Sequence, residues 1–267
     1  MRLAAIQMRS SIEVEANIAA ASKLIRAAVK DGAEFVATPE MTHLLDRDPD
    51  RLRQTVRDQN QDAGVKAFSA LAQALNIHLL IGSQAILRQD GKIANRSLLF
   101  APDGQLSAHY DKIHLFEAAI SKTESYKESD TYAAGSEHVI ADIGALKIGL
   151  SICYDVRFPS LFSYYAKSEV DIIAVPAAFT VATGKAHWET LLRARAIETG
   201  AYIIAPAQGG HHEDGRRTWG RSLIIDPWGE VISGLGHDEP GFIIADISKT
   251  SVERARSRIP AWRGVAL

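Results

Sequence analysis

The spacing of apolar residues changes repeatedly along the chain, and each change predicts an element. Residues 1–8 are apolar enough for a buried strand. Ser10 and Glu13 have the spacing of a capping box ahead of an amphipathic stretch that runs to about Val29. Asp31-Gly32 ends that helix, and residues 33–37 read as a second short strand stopped by the turn at Thr38-Pro39. Val65, Phe68, Leu71, Ala72 and Leu75 fall at helical spacing and predict a helix over 61–75. Dense apolar runs at 78–86, 93–100 and 106–110 are separated by Gln89-Asp-Gly91 and Pro102-Asp-Gly104, turn sequences that suit antiparallel hairpins.

From 117 to 136 the chain turns polar, with Ser121, Lys122, Thr123, Glu124, Ser125, Lys127, Glu128, Ser129 and Asp130, and reads as a long ordered loop or lid. Strands then alternate with helices: strands near 138–143, 146–152, 170–175, 201–207, 221–226 and 241–246, helices near 158–168 and 187–200. This is an α/β pattern interrupted by hairpins. Strands apolar on both faces must be covered twice, so helices are expected outside and sheets inside. The segment from about 248, and the tail after Ile259-Pro260 above all, reads as a surface or partner-bound extension of a single domain over 1–267. No repeat or low-complexity segment breaks the chain.

Composition narrows the function. With 46% hydrophobic and 23% charged residues, the 267-residue chain is expected to build a packed core. Its 30 Lys+Arg against 32 Asp+Glu, a net charge of −2, argue against a nucleic-acid partner. No apolar run approaches the ~18 residues of a membrane span, and the apolar start is too short for a signal peptide, so a cytoplasmic protein without a membrane partner is expected. Cys153 stands alone, which excludes an intramolecular disulfide and fits a reducing compartment.

Several familiar motifs fail. Gly149-Leu-Ser-Ile-Cys153 departs from a nucleophile elbow at its last position, leaving Ser151 as a strand residue. Neither a dinucleotide-binding nor a triphosphate-binding glycine pattern occurs, so no nucleotide cofactor is expected. His211-His212-Glu213 invites a metal reading, but adjacent residues rarely face one centre, and a solvated loop is expected with no metal.

What remains is a set of reactive side chains at strand ends. Cys153 follows the apolar strand at 147–152 and precedes a turn toward a helix, a position that lines the ligand crevice in α/β sheets. By itself the thiol reads first as a buried structural residue and only second as a nucleophile. Glu40 lies just past another strand end and could exchange a proton with such a thiol and a leaving amine. Lys112, where a strand hands over to the polar loop, could stabilise an oxyanion. Taken singly, Glu40 and Lys112 read as solvated charges; the combination suggests amide cleavage.

Thr38-Pro-Glu-Met41, Tyr110-Asp-Lys-Ile-His-Leu-Phe116 and Ser151-Ile-Cys-Tyr-Asp-Val-Arg-Phe-Pro159 resemble, in order, the Glu, Lys and Cys blocks of the nitrilase, or carbon–nitrogen hydrolase, superfamily. The resemblance implies an α-β-β-α sandwich and a Glu40–Lys112–Cys153 set that hydrolyses non-peptide C–N bonds through a thioester, releasing ammonia and a carboxylate without cofactor. It also implies a second glutamate, Glu128, orienting Lys112 and holding a small-molecule amide substrate. The Tyr154 N–H would be an oxyanion donor with Lys112, and Phe179, Thr180 and His187 would belong to the substrate pocket. A homodimer or larger assembly is implied too.

Residues 176–179, 183–189, 192–198 and 210–213 are similar to the deaminated-glutathione amidase branch. Departures are Tyr132-Ala-Ala-Gly135 for a usual Pro-Gly, Lys185 for a proline and Arg221 for an imidazole. Arg193, Arg195, Glu189 and Glu198 read as helix ion pairs at a subunit contact, and Arg157 as a turn-stabilising cation. An ω-amide of a 2-oxo acid, an N-carbamoyl compound or an aliphatic amide stays open as substrate; so do a catalytically weak scaffold protein and a metal protein using His211 and His212.

Overall fold

The computed structural model describes residues 1–119 and 125–263, so residues 120–124 of the polar loop, with Ser121, Lys122, Thr123 and Glu124, lie outside the described residues. The first half runs β1 (Arg2–Gln7), α1 (Val14–Lys30), β2 (Phe35–Ala37), α2 (Pro49–Thr55), α3 (Ala63–Leu75), β3 (His78–Leu87), β4 (Ile93–Phe100) and β5 (Leu106–Asp111). The polar segment carries a short hairpin, β6 (Glu117–Ala119) with β7 (Ser125–Lys127), a 3-10 turn at Glu128–Asp130, and β8 (Tyr132–Ala133). The second half continues with β9 (Ile140–Ile143), β10 (Leu146–Leu150), a 3-10 turn at Cys153–Arg157, α4 (Pro159–Lys167), β11 (Ile172–Ala174), α5 (Val181–Thr199) and β12 (Tyr202–Ala205). It ends with β13 (Gly209–His211), β14 (Arg217–Trp219), β15 (Leu223–Ile225), β16 (Val231–Gly234), β17 (Gly241–Asp246) and α6 (Lys249–Arg258).

Two large sheets result, of strand order β17-β1-β2-β3-β4-β5, with β8 also on β4, and β16-β15-β12-β11-β10-β9, beside the two-stranded pairs β6-β7 and β13-β14. Each is built on three parallel strands, β1-β2-β3 and β10-β11-β12, flanked by antiparallel ones. The alternation of side chains explains the layering. Leu3, Ala5, Phe35, Ala37 and Leu80 point to the second sheet and join a cluster with Ile148, Leu150 and Ile172. Ala4, Ile6, Val36, Leu79 and Ile81 point the other way and pack on Ala21 and Ile25 of α1 and Phe68 and Leu71 of α3. Leu161, Phe162 and Tyr165 of α4 and Trp188, Leu192 and Ala196 of α5 cover the second sheet. The architecture is therefore the α-β-β-α sandwich expected.

Some expected details change. The capping box is not formed: α1 starts at Val14, and Glu13 makes no side-chain cap. Ser10 instead donates to Thr42 O (2.9 Å) and accepts from Gln208 Nε2 (2.7 Å), while Asn17 Oδ1 accepts from Ser11 N (2.8 Å). Long-range partners took the residue that local spacing had assigned to the helix. Helix α2 was missed although Asp48 and Pro49 form a cap and first-turn signal, the Asp48 carboxylate accepting from Asp50 N and Arg51 N. Helix α5 begins at Val181 rather than 187 because Thr180 caps it. Strands β13, β14 and β16 are too short to leave a period.

The C-terminal segment is α6 followed by a turn at Pro260–Arg263, fastened to its own chain rather than free. Arg256 donates to Thr199 O (3.2 Å) and Val170 O (2.6 Å), and Val252 is buried. Among the described residues no helix is long and apolar enough to cross a membrane.

Gly149 of β10 sits under α4, where an added Cβ would meet the Tyr165 ring at 2.8 Å. Gly149→Ala is expected to lower stability by about 1–3 kcal/mol through overpacking, read from urea unfolding midpoints. An unchanged midpoint would show that the sheet and α4 separate freely.

Candidate active site

The carboxyl ends of the two parallel strand sets meet in one crevice, closed by bridges pairing Met8 with Gln208 and Ala177 with Ala207. Glu40 enters three residues past β2 on a turn held from several directions. Thr42 Oγ1 donates to Pro39 O (2.7 Å), Gly82 N to Thr38 Oγ1 (3.1 Å) and Gln208 Nε2 to Glu40 O (3.0 Å). Gly82 is required there, since an added Cβ would lie 2.0 Å from Thr38 O. Lys112 follows β5, its N–H donating to Asn95 O (2.9 Å) on β4. Cys153 follows β10 in left-handed backbone, φ 52°, its N–H held by Pro176 O at 2.9 Å. Such a conformation costs a non-glycine residue of order 1 kcal/mol and marks a site under constraint.

The side chains converge. Lys112 Nζ lies 2.8 Å from Glu40 Oε1 and 2.8 Å from Glu128 Oε2. Asn95 Nδ2 donates to both carboxylates, at 2.9 Å to Glu40 and 3.0 Å to Glu128. Ala178 N donates to Glu40 Oε2 (2.9 Å) and Phe116 N to Glu128 Oε2 (2.7 Å). The Cys153 thiol lies within electrostatic reach of both Glu40 and Lys112. Burial raises the Glu40 carboxyl, but the Lys112 charge and the bonds from Lys112, Cys153 and Asn95 outweigh it and hold the group below the usual carboxylate range. Burial lowers Lys112, yet Glu128 and Glu40 keep its ammonium well above the usual value. Burial and then the Glu40 charge push the Cys153 thiol well above its ordinary value. At neutral pH the resting set is a neutral thiol beside an ionised carboxylate and an ammonium, so a base for the thiol proton is already in contact.

Sequence reasoning missed the residues that hold this set in register. Asn95 bridges the two glutamates, and its signal was a lone amide inside an apolar strand. Asp155 is fully buried and accepts four bonds, from Tyr110 Oη (2.7 Å), Ile152 N (2.8 Å), His114 N (3.0 Å) and His114 Nδ1 (2.7 Å). It ties the residues on either side of Lys112 to the turn that carries Cys153.

Phe116, Tyr154, Arg157, Phe179 and Thr180 line, with Cys153, a cavity with about 20 Å³ of free space. Phe179 and Thr180 are thus on its wall. His187 lies on the exposed face of α5, where its Nδ1 meets Arg157 Nη2 (3.2 Å), and faces a second cleft with Lys185 and Arg221. Arg157, expected to brace a turn, is a cation on the cavity wall, 5.5 Å from the Phe179 ring centre.

Arg195 turns inward rather than to a subunit contact, donating to Val156 O (2.8 Å) and pairing Glu198 (2.8 Å). Arg193 and Glu189 are 3.8 Å apart on the surface. Ser151 is buried and donates to Ala174 O. His212 is buried rather than solvated, its ring engaged by Ser10 O (2.8 Å) and Thr218 Oγ1 (2.6 Å). Tyr132 packs in β8 against β4, so the departure at 132–135 is absorbed by strand pairing.

Asp155→Ala, which strands three donors and an imidazole, is expected to cost about 3 kcal/mol. Turnover should fall at least tenfold with it, because the Lys112 and Cys153 segments lose their common anchor. Unfolding midpoints and initial rates measure both, and a variant of full activity would remove Asp155 from this account.

Comparisons with known proteins fit the geometry. The carbon–nitrogen hydrolase family profile matches residues 2–257. A deaminated glutathione amidase of Synechocystis sp. is 40% identical over 262 residues, covering 97% of this chain and 95% of that protein. The omega-amidase NIT2 of Homo sapiens is 33% identical over 266 residues, covering 98% and 94%. Among solved structures, the NitFhit protein of C. elegans superposes with a TM-score of 0.91 at 33% identity, covering 99% of this chain and 64% of that longer one. Saccharomyces cerevisiae Nit3, described as a member of the nitrilase superfamily, gives 0.87 at 27% identity, covering 97% and 94%.

Proposed function

The chain is a member of the carbon–nitrogen hydrolase family and an enzyme of that class, and on that premise we propose that it cleaves amides through a cysteinyl thioester with Cys153 as nucleophile, Glu40 as proton carrier and Lys112 as oxyanion donor. The observation that carries the reading is the buried array in which the Lys112 ammonium bonds both Glu40 and Glu128 while the Cys153 thiol feels the charges of Glu40 and Lys112.

The amide carbonyl enters between the sulfur and two donors, Lys112 Nζ and the Tyr154 N–H. As the S–C bond forms, the thiol proton passes to Glu40 and the carbonyl oxygen gains a negative charge that the donors offset. Glu40 then gives the proton to the leaving nitrogen as the C–N bond breaks. Water, deprotonated by Glu40, attacks the thioester; the carboxylate leaves and the proton returns to sulfur. Glu128 keeps Lys112 in place and charged. For a primary amide the amine released is ammonia, and for a γ-linked peptide it is the amino group of the peptide remainder.

Arg157 supports a substrate that carries a carboxylate, as do the names of the relatives: deaminated glutathione first, an ω-amide of a 2-oxo acid second. An N-carbamoyl amino acid satisfies the same cation less directly, and a simple aliphatic amide leaves it unused. The satisfied ring of His212 argues against the metal reading. The lone thiol supports a cytoplasmic setting for a single-domain enzyme. Ile197, Trp228 and Ile232, each more than 40% exposed, support a homodimer or larger assembly.

Cys153→Ala is expected to abolish turnover with the unfolding midpoint retained, and Glu40→Gln to lower kcat by roughly 10²-fold or more; residual amidase activity of Cys153→Ala refutes the assignment. Because Glu40 must be ionised and its value lies below the ordinary 4.5, kcat/KM should stay level on the acid side and fall only below about pH 4.5. A limb near neutrality would exclude Glu40 as the base. A panel of deaminated glutathione, 2-oxoglutaramate and N-carbamoyl amino acids, followed by released amine or ammonia, separates the substrates.

A further inference from the structure

Beside the Cys153 cavity lies a second and larger cleft, about 410 Å³, within the range of small-ligand sites. The first has about 20 Å³ of free space, enough for one water-sized group. Most of any substrate longer than a few atoms must therefore lie outside it. The two spaces adjoin. Thr183 lines one and Gly184 the other, and Arg157 of the first touches His187 of the second at 3.2 Å.

The second cleft is built with care for an anion. Gly184 allows Trp219 of β14 to lie across the first turn of α5, since an added Cβ would meet the indole at 2.3 Å. Arg221 stacks over that indole, its guanidinium carbon 4.4 Å from the ring centre, in left-handed backbone of φ 58°. Its Nη1 donates to Gly236 O, and its buried Nε has no partner among the described residues. Lys185, on the exposed edge, has no carboxylate within ion-pair distance among the described residues. The acid of the lining, Glu189, pairs with Arg193. Accepting from Arg157 through Nδ1 leaves the His187 ring with its proton on Nε2, a further donor. Of the three departures from the pattern this chain otherwise resembles, two, Lys185 and Arg221, are brought by the fold to one cleft.

We propose that this cleft is a second anionic subsite, in which Lys185 and Arg221 hold a carboxylate on the part of the substrate that extends beyond the Cys153 cavity. The proposal rests on the amidase reading above and deepens it: the preferred substrate class is an amide with two carboxylates, one facing Arg157 and one reaching past His187. Neither Lys185 nor Arg221 takes part in bond cleavage.

The test compares deaminated glutathione with its glycine methyl ester, which removes only the distal charge, and with 2-oxoglutaramate, which lacks the distal arm. For the intact enzyme, KM for the free acid is expected about tenfold below that of the ester. Lys185→Gln and Arg221→Gln should each raise KM for the acid by about threefold, as for a partly exposed ion pair, and the double variant should erase the preference. Throughout, kcat and the constants for 2-oxoglutaramate should hold. Arg221→Lys, which retains the charge, should restore part of the loss, separating recognition from a packing defect beside Trp219. Calorimetric binding of acid and ester to Cys153→Ala gives the same comparison without turnover.

Equal affinity for acid and ester, or a preference that survives in the double variant, overturns the subsite while leaving the amidase reading intact. Charge-selective binding without turnover of any amide by the intact enzyme would instead overturn the reaction. A loss shared by 2-oxoglutaramate would make the two residues structural and also overturn the subsite.

Discussion

An ammonium with almost no access to water is the constraint around which this molecule is organised. Transferring such a group from water costs several kcal/mol unless its charge is met by well-placed acceptors. Lys112, 2% exposed, meets that demand with Glu40 and Glu128, each 2.8 Å away. Two carboxylates against one ammonium leave the array with excess negative charge, and the donors from Asn95, Ala178 and Phe116 absorb it. The thiol then sits beside an anion and stays protonated. The arrangement that keeps the buried ions stable thus also keeps an ionised carboxylate beside a protonated thiol.

Holding that array demands agreement between segments far apart in the chain. Glu40 comes from the first sheet and Cys153 from the second, so their contact depends on how the two sheets face each other. Parallel triplets β1-β2-β3 and β10-β11-β12 present their carboxyl ends to the same crevice. Asp155 and Asn95 convert that rough alignment into fixed distances, one by tying the Lys112 segment to the Cys153 turn and the other by bridging the glutamates. The left-handed backbone at Cys153 tells the same story, since only surrounding contacts keep a cysteine there.

Recognition beyond the reacting atoms is written in a different register. The cavity wall mixes aromatic faces from Phe116, Tyr154 and Phe179 with the cation of Arg157. Stacking of His114 on Phe158, 3.6 Å between centroids, steadies the wall from behind.

The periods of the apolar residues were enough to read strands, flanking helices and the layered sandwich, because burial on two faces leaves a dense signature in each strand. Three short blocks brought Glu40, Lys112 and Cys153 forward as candidates, because each reactive type stands at a strand end. Local spacing erred where a distant partner outbid a neighbour. Ser10 left its expected cap for Thr42 and Gln208, His212 entered the core through Ser10 and Thr218, and His187 turned away from the sulfur. Only the folded chain decided that Asn95 and Asp155 hold the ions, that Arg157 faces the cavity, and that Lys185 and Arg221 share a cleft. These are contacts between residues tens to more than a hundred positions apart, and no period along the sequence records which face of one sheet will meet which end of another.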